Sequence, residues 1–459
     1  METLQRTANR GSLSTGYDID NSLKLESDNS EYLDNRHHSA GNRRTWTLSF
    51  WIKRTELGTT QKPYDSGNAA GGAMFYSTYD TIAVENSDLW LVTNRVFRDT
   101  SAWLHIVLLN DSTQSTASNR AKLWINGVQE TSFSSETYMP QNQEGNINSA
   151  TSVSIGGGGG AHVNGYMAEF FFVDGQALAP TDFGEYDSDS GIWIPKEYEG
   201  TLSGTSLKLD FSDSSALWTD SSGLSGNGTA MSGNNITSAD QATDTPTNNF
   251  ATMTEAWAYA SQLEVRWGGT LTTTNTAAWS GAKSTIGVNK GKWYWEIRWN
   301  DTISTYTGIQ TQGEDNISAS GSAAHSRNTS LSIGAGSKYR TYINGTDTLY
   351  TSQPSGNIST GEVTGFALDL DSGTKTLKLI RSGSVVQTYT LTDSLATEYV
   401  FPFCSTYAQT LVWNLGGFFH YTLSSAETDA NGLGSFEFSP TIGGVNYYAL
   451  CTKNLAEYG

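Results

Sequence analysis

Alternation between apolar and polar side chains recurs along this chain and constrains its fold more than any other feature. Trp46, Leu48, Phe50 and Ile52 alternate with Thr47, Ser49, Trp51 and Lys53. Successive side chains on a strand point to opposite sides, so this pattern predicts a strand with one buried face. Trp293, Trp295, Ile297 and Trp299 alternate in the same way with Tyr294, Glu296, Arg298 and Asn300. Phe366, Leu368 and Leu370 alternate with Ala367, Asp369 and Asp371. Helical spacing is nowhere sustained; at best Pro180 to Tyr186 makes one turn. Asn126-Gly127, Asp174-Gly175 and Asn344-Gly345 each follow an apolar run. Such dipeptides tolerate the positive φ of a type I′ turn, whose twist suits a hairpin. Short strands set off by turns predict an all-β chain of sandwiches or jelly rolls.

At 459 residues the chain is long enough for two sandwiches, since one such domain can take ~200–250 residues. The stretch from Ser212 to Asn249 is rich in Ser, Asn, Asp and Gly, with Ala216-Leu217-Trp218 as its main apolar anchor. It reads as a polar connection over 212–250. That places one sandwich at 19–211, a second at 251–417 and a C-terminal tail at 418–459. The opening residues Met1–Thr15 show no strand or helix pattern. Residues 1–18 read as an arm that orders on a partner surface.

Charge narrows the function classes. With 27 basic against 46 acidic residues, the net charge is −19 and no basic block stands out. Nucleic acid is an unsuitable partner, because its binding needs clustered Lys and Arg to displace counterions. No apolar run reaches the ~18 residues of a spanning helix, so membrane insertion is not expected. The first residues lack the apolar core of a secretory signal, which predicts assembly in the cytoplasm. Cys404 and Cys451 are too few for a disulfide framework and read as buried thiols.

Catalytic constellations are sparse. Retaining glycoside hydrolysis needs two carboxyl groups ~5–5.5 Å apart, and no Glu-x-Asp-x-x-Glu triplet occurs. Asp369 and Asp371 share a strand face without a third acid, and Glu296 has Arg298 on its own face as an ion-pair partner. His105 sits inside Trp-Leu-His-Ile-Val and reads as a packed strand residue. The run Gly156 to Gly160 lacks the Lys-Ser/Thr and helix of a phosphate-binding loop and reads as a turn. No metal-ligand spacing suits zinc. A non-enzymatic protein is expected. Aromatics are abundant, with 14 Trp, 22 Tyr and 17 Phe. Tyr64, Tyr79, Trp218 and Tyr306 stand in polar surroundings. They are candidate ligand-binding residues, because flat aromatic faces stack on sugar C–H surfaces. Each has the alternative of covering its own domain's edge or meeting a neighbouring subunit.

Three resemblances add to this reading. The order Trp46–Lys53, Trp103-Leu104-His105-Ile106-Val107, Leu123-Trp124-Ile125-Asn126-Gly127, Ser154-Ile155-Gly156 and Gly165–Asp174 resembles the laminin-G and concanavalin-A-like superfamily. Gly291-Lys292-Trp293-Tyr294-Trp295-Glu296, Gly365–Asp371, Tyr399–Phe403 and Val412-Trp413-Asn414-Leu415-Gly416 are similar to SPRY domains. Arg381-Ser382-Gly383 stands where that pattern usually has Asn-Gly. Both units in this order resemble structural proteins from tailed phages of marine bacteria, as do Leu4–Gly11, Thr243–Thr252 and Tyr447–Leu455. The resemblance implies a virion component, a tail fibre or appendage, docked to other virion proteins through its N-terminal arm. It also implies a homo-oligomer, a trimer in many phage fibres, with host surface glycan as the outward partner. Some laminin-G-like domains hold calcium on loop oxygens. The loop Tyr186-Asp187-Ser188-Asp189-Ser190-Gly191 offers such oxygens, and reads equally as a solvated acidic turn.

Overall fold

The computed structural model describes residues 16–36, 39–67, 71–76, 79–224, 231–255, 263–274, 279–300, 304–312, 330–335, 339–343, 346–350 and 358–459. Strands dominate, as the alternation predicts, and the described helices are short. The chain divides into two compact units, one ending at Asn248 and the other running from Asn249 to Gly459. The opening arm, His37-His38, the Asn344-Gly345 dipeptide and His325 lie outside the described residues.

Two antiparallel sheets face each other in the first unit. One is centred on Thr45–Arg54, flanked by Leu104–Asp111 and Gly165–Asp174. The other runs from Phe133–Thr137 through Gln61–Asp65 to Tyr32–Arg36. Trp46, Leu48, Phe50 and Ile52 fill the space between them with Tyr64, Leu91, Phe170 and Phe172. Asn126 (φ 50°) and Gly127 (φ 75°) turn the chain from Ala121–Ile125 into Val128–Gln129, the hairpin geometry their sequence implies. Asp174-Gly175 does not make a hairpin. Its carboxylate instead accepts from the backbone N–H groups of Asn42 and Thr205 and from Asn148 Nδ2, and so ends the strand. Gly175 supplies the left-handed backbone (φ 74°), but the next strand to pair with this one, Leu207–Leu209, follows only after a long excursion.

The structure departs from the one-faced strand expected at Thr45–Arg54. Thr47, Ser49, Trp51 and Lys53 are buried as well, because irregular chain covers the outer face of their sheet. Trp51 stacks on His105 at 4.5 Å, and the Trp193 ring lies nearly parallel to that imidazole at 6.0 Å. Phe183 packs on Val107, Phe171 and Val173 nearby, with Tyr198 against the cluster.

Much of the expected connection at 212–250 also belongs to this unit. Ser232–Asn234 pairs with Tyr32–Arg36 in one sheet, and Gln241–Ala242 pairs with Ser22–Leu25 in the other. Leu217, Met231 and Ile236 enter the core. Two buried lysines complete the attachment: Lys24 lies 2.9 Å from both Glu31 and Asp240, and Lys53 lies 2.7 Å from Asp244. These anchors are widely spaced and the pairing is carried by backbone, so no periodic signal marks them.

The second unit repeats the plan. Lys292–Trp299 runs between Val363–Asp369 and Thr410–Asn414 in one sheet. Trp279–Ser284, Val400–Tyr407 and Thr305–Thr311 lie side by side in the other. Trp293, Trp295, Ile297, Trp299 and Trp413 fill the interior. Ser382 (φ 48°) and Gly383 (φ 73°) close the hairpin between Arg381 and Ser384, so Ser-Gly makes the turn at this position.

Residues 418–459 form a third layer rather than a simple tail. Phe436, Tyr447, Ala449 and Cys451 join Phe250 over Tyr294, Ala367 and Ile380. Tyr448–Ala449 pairs in parallel with Trp293-Tyr294, and a helix follows at Thr452–Tyr458. The Asp429 carboxylate anchors this layer through the N–H groups of Asn431, Leu433 and Ala449 and through Asn454 Nδ2. Cys404 and Cys451 are buried free thiols.

Candidate functional site

The four aromatics nominated from sequence do not share a surface. Tyr64 is 1% exposed and stacks parallel to Phe172 at 6.1 Å. It alternates inward from Gln61–Asp65 and belongs to the core, so it cannot meet a ligand. Trp218 is half-buried against the same core. Tyr306 is half-buried and tilted against Trp279 at 5.7 Å. Only Tyr79, 64% exposed, stands well out from the surface. The abundance of tryptophan is explained largely by burial: Trp46, Trp51, Trp103, Trp193, Trp293, Trp295, Trp299 and Trp413 are all interior.

The buried titratable groups have structural partners. Ser49 Oγ lies 2.8 Å from His105 Nε2, the spacing of a nucleophile and its base. Trp193 Nε1 donates to His105 Nδ1 at 2.9 Å, so the ring proton sits on Nε2 and the serine accepts. Both residues are buried, and burial pushes the imidazole down to about 3. That is a neutral packed histidine. Glu296 does not pair with Arg298; it turns under the third layer and accepts from Tyr294, Asn414, Tyr421 and the N–H groups of Glu437 and Phe438. Asp369 holds Lys292 at 2.9 Å and caps its own turn, while Asp371 accepts from Gly291 N–H. Asp187 Oδ1 is taken by Ser190 and by the Asp189 N–H, so the acidic loop binds itself. Among the described residues, no three His, Cys, Asp or Glu side chains gather to hold a metal ion.

A groove of about 330 Å³ lies on the first unit, away from these locked groups. Ala121, Leu123 and Ile125 point into the core, so the alternation sends Lys122 and Trp124 to the opposite face. Leu109 stands opposite Lys122 on the neighbouring strand, and Val107 stands opposite Trp124. Ala177 and Ala179 border the groove, with Asp111, Gln114 and Asn119 also lining it. Small alanine side chains leave the indole face room, and both Lys122 and Trp124 are half-buried. Asp111 is ionised: burial raises its pKa, but hydrogen bonds from Thr113, Gln114 and Thr45 outweigh that and hold it below the usual range. An apolar ring, a cation, an anion and two amides therefore line one recess. That mixture suits a polyhydroxylated ligand with flat C–H faces.

Two solved structures are similar to part of the chain. The PSpry domain of TRIM65 matches at 14% identity, covering 36% of this chain and 89% of that one, with a TM-score of 0.30. The SPRY domain of human HERC1 matches at 12% identity, covering 35% of this chain and 96% of that one, with a TM-score of 0.28. No protein-family profile matches the chain, and no curated protein matches it.

The groove residues were visible in sequence only as one arm of the Asn126-Gly127 hairpin. Their spacing held the signal, since Lys122 and Trp124 are two apart and flank an inward leucine. What sequence lacked was the long-range placement of Asp111 and of Ala177 and Ala179 beside them.

Proposed function

We propose that this protein is a non-enzymatic structural component of a phage virion, a tail fibre or appendage, whose first sandwich contacts host surface glycan. The Trp124 groove is the observation that carries the ligand half of this reading. The resemblance of the opening residues and of Thr243–Thr252 to marine phage structural proteins supports the virion half. In this reading the first unit is laminin-G-like, the opening arm docks to other virion proteins, and the protein assembles as a trimer. A non-enzymatic role fits the groove, because Asp111 is its single lining carboxylate among the described residues and hydrolysis of a glycosidic bond requires a pair. The alternative is pure decoration of the particle with no ligand.

Salt distinguishes this mode of contact from electrostatic adhesion. A net charge of −19 repels an anionic envelope at long range. Seawater ionic strength shortens the Debye length to about 3–4 Å and removes most of that repulsion, while stacking and hydrogen bonds persist. Pull-down on host cells should stay level or strengthen from low salt to seawater salt. Retention that falls steeply with added monovalent salt contradicts the stacking mode, and no retention at any salt favours the decorative role.

A further inference from the structure

We propose that the groove selects acidic saccharides, with the Lys122 ammonium meeting a sugar carboxylate or sulfate while the Trp124 ring lies against the sugar's C–H face. The inference rests on the glycan reading and adds the ligand class. Lysines elsewhere are mostly committed. Lys24, Lys53, Lys62 and Lys292 each hold a carboxylate within 2.9 Å, and Lys283 and Lys375 donate to backbone carbonyls. Among the described residues, neither the Lys122 ammonium nor the Trp124 indole N–H has a hydrogen-bond or ion-pair partner. The one carboxylate in the recess does not serve Lys122. Asp111 Oδ1 accepts from the Thr113 N–H and hydroxyl, and Oδ2 accepts from Gln114 Nε2. The residue opposite Lys122 is Leu109, and Trp124 is opposite Gln129 on the edge strand; Asp111, two residues beyond Leu109, has its oxygens engaged by its own turn. In a chain of net charge −19, this ammonium beside a half-buried indole is a cation open to an anionic group, with Asp111 as the one opposite charge among the described lining residues. An anion brought there gains a charge-assisted hydrogen bond, whereas a neutral sugar leaves the cation as it was.

Calorimetric titration of the full chain at fixed ionic strength tests this with four probes. They are trigalacturonate, its neutral methyl ester, a sulfated galactan trisaccharide and its desulfated form. Each acidic probe is expected to bind at least about tenfold more tightly than its neutral counterpart, the weight of one charge-assisted contact. Lys122→Met should erase that gap and Lys122→Arg should keep it. Lys122 is half-exposed and unpartnered, so both variants should melt with the wild type. A gap for one anion alone identifies which of carboxylate and sulfate is taken. Equal binding of acidic and neutral forms by the wild type overturns the acid preference and leaves the glycan reading standing. A gap that survives in Lys122→Met overturns the assignment to this residue. Failure of all four probes overturns both.

Discussion

Asp244→Ala should destabilise the first sandwich by ~3–5 kcal/mol, the usual cost of stripping one partner from a buried ion pair. Lys53 is fully buried and its ammonium lies 2.7 Å from Asp244. The same carboxylate accepts from Trp103 Nε1 at 3.0 Å. Its removal leaves an interior cation and an interior indole N–H together. Burial already pushes the Lys53 pKa down, so part of the loss is relieved by shedding the proton. For a unit of this size the change corresponds to a fall in Tm of roughly 10 °C. Replacing both partners, as Lys53→Met with Asp244→Leu, should recover much of it, because the apolar pair carries no desolvation cost. A melting curve for Asp244→Ala that overlays the wild type would show that the polar stretch around 244 is not fastened to the first sandwich.

Glu296→Ala should free the third layer of the second unit. Five donors converge on this carboxylate, two of them the N–H groups of Glu437 and Phe438. Each donor left without an acceptor in the interior costs ~1–3 kcal/mol, reduced where water enters. The expected loss is ~3 kcal/mol or more, with faster hydrogen exchange at the Glu437 and Phe438 amides.

Burial raises the Glu296 pKa to about 7 against the pull of those donors. An acid raised on folding keeps its proton longer in the native state than in the unfolded chain. Its contribution is therefore complete below about pH 4.5 and declines as pH rises through about 7. The stability of the second unit against denaturant should fall over that window in the wild type, and Glu296→Gln, which cannot titrate, should lose this dependence. An unchanged pH profile in Glu296→Gln would assign the dependence to another group.

The two predictions concern the parts of the fold that alternation does not announce. Strand type and both interiors were legible because Trp46–Lys53 and Trp293–Asn300 repeat with period 2. That period identifies an inward face. It cannot say whether the other face meets water or a further layer of chain. Lys53 and Glu296 look like solvated residues in sequence, yet Asp244 lies 191 positions from its lysine and Glu437 lies 141 from the acid. Segments 212–250 and 418–459 bind mainly by backbone pairing, caps and isolated anchors, so their sequences look like linker and tail. The same limit explains the candidate residues. Tyr64 sits among polar neighbours in sequence but alternates into the core, whereas Trp124, in a strand, faces the groove.

Location is the most direct test of the structural role. On the proposed virion role, antibody raised against the full chain and applied with gold label to purified, intact phage particles should decorate the particle exterior at regular positions. Mass spectrometry of the same particles should find the protein at a fixed copy number. A protein abundant in infected-cell lysate but absent from purified particles would contradict the account.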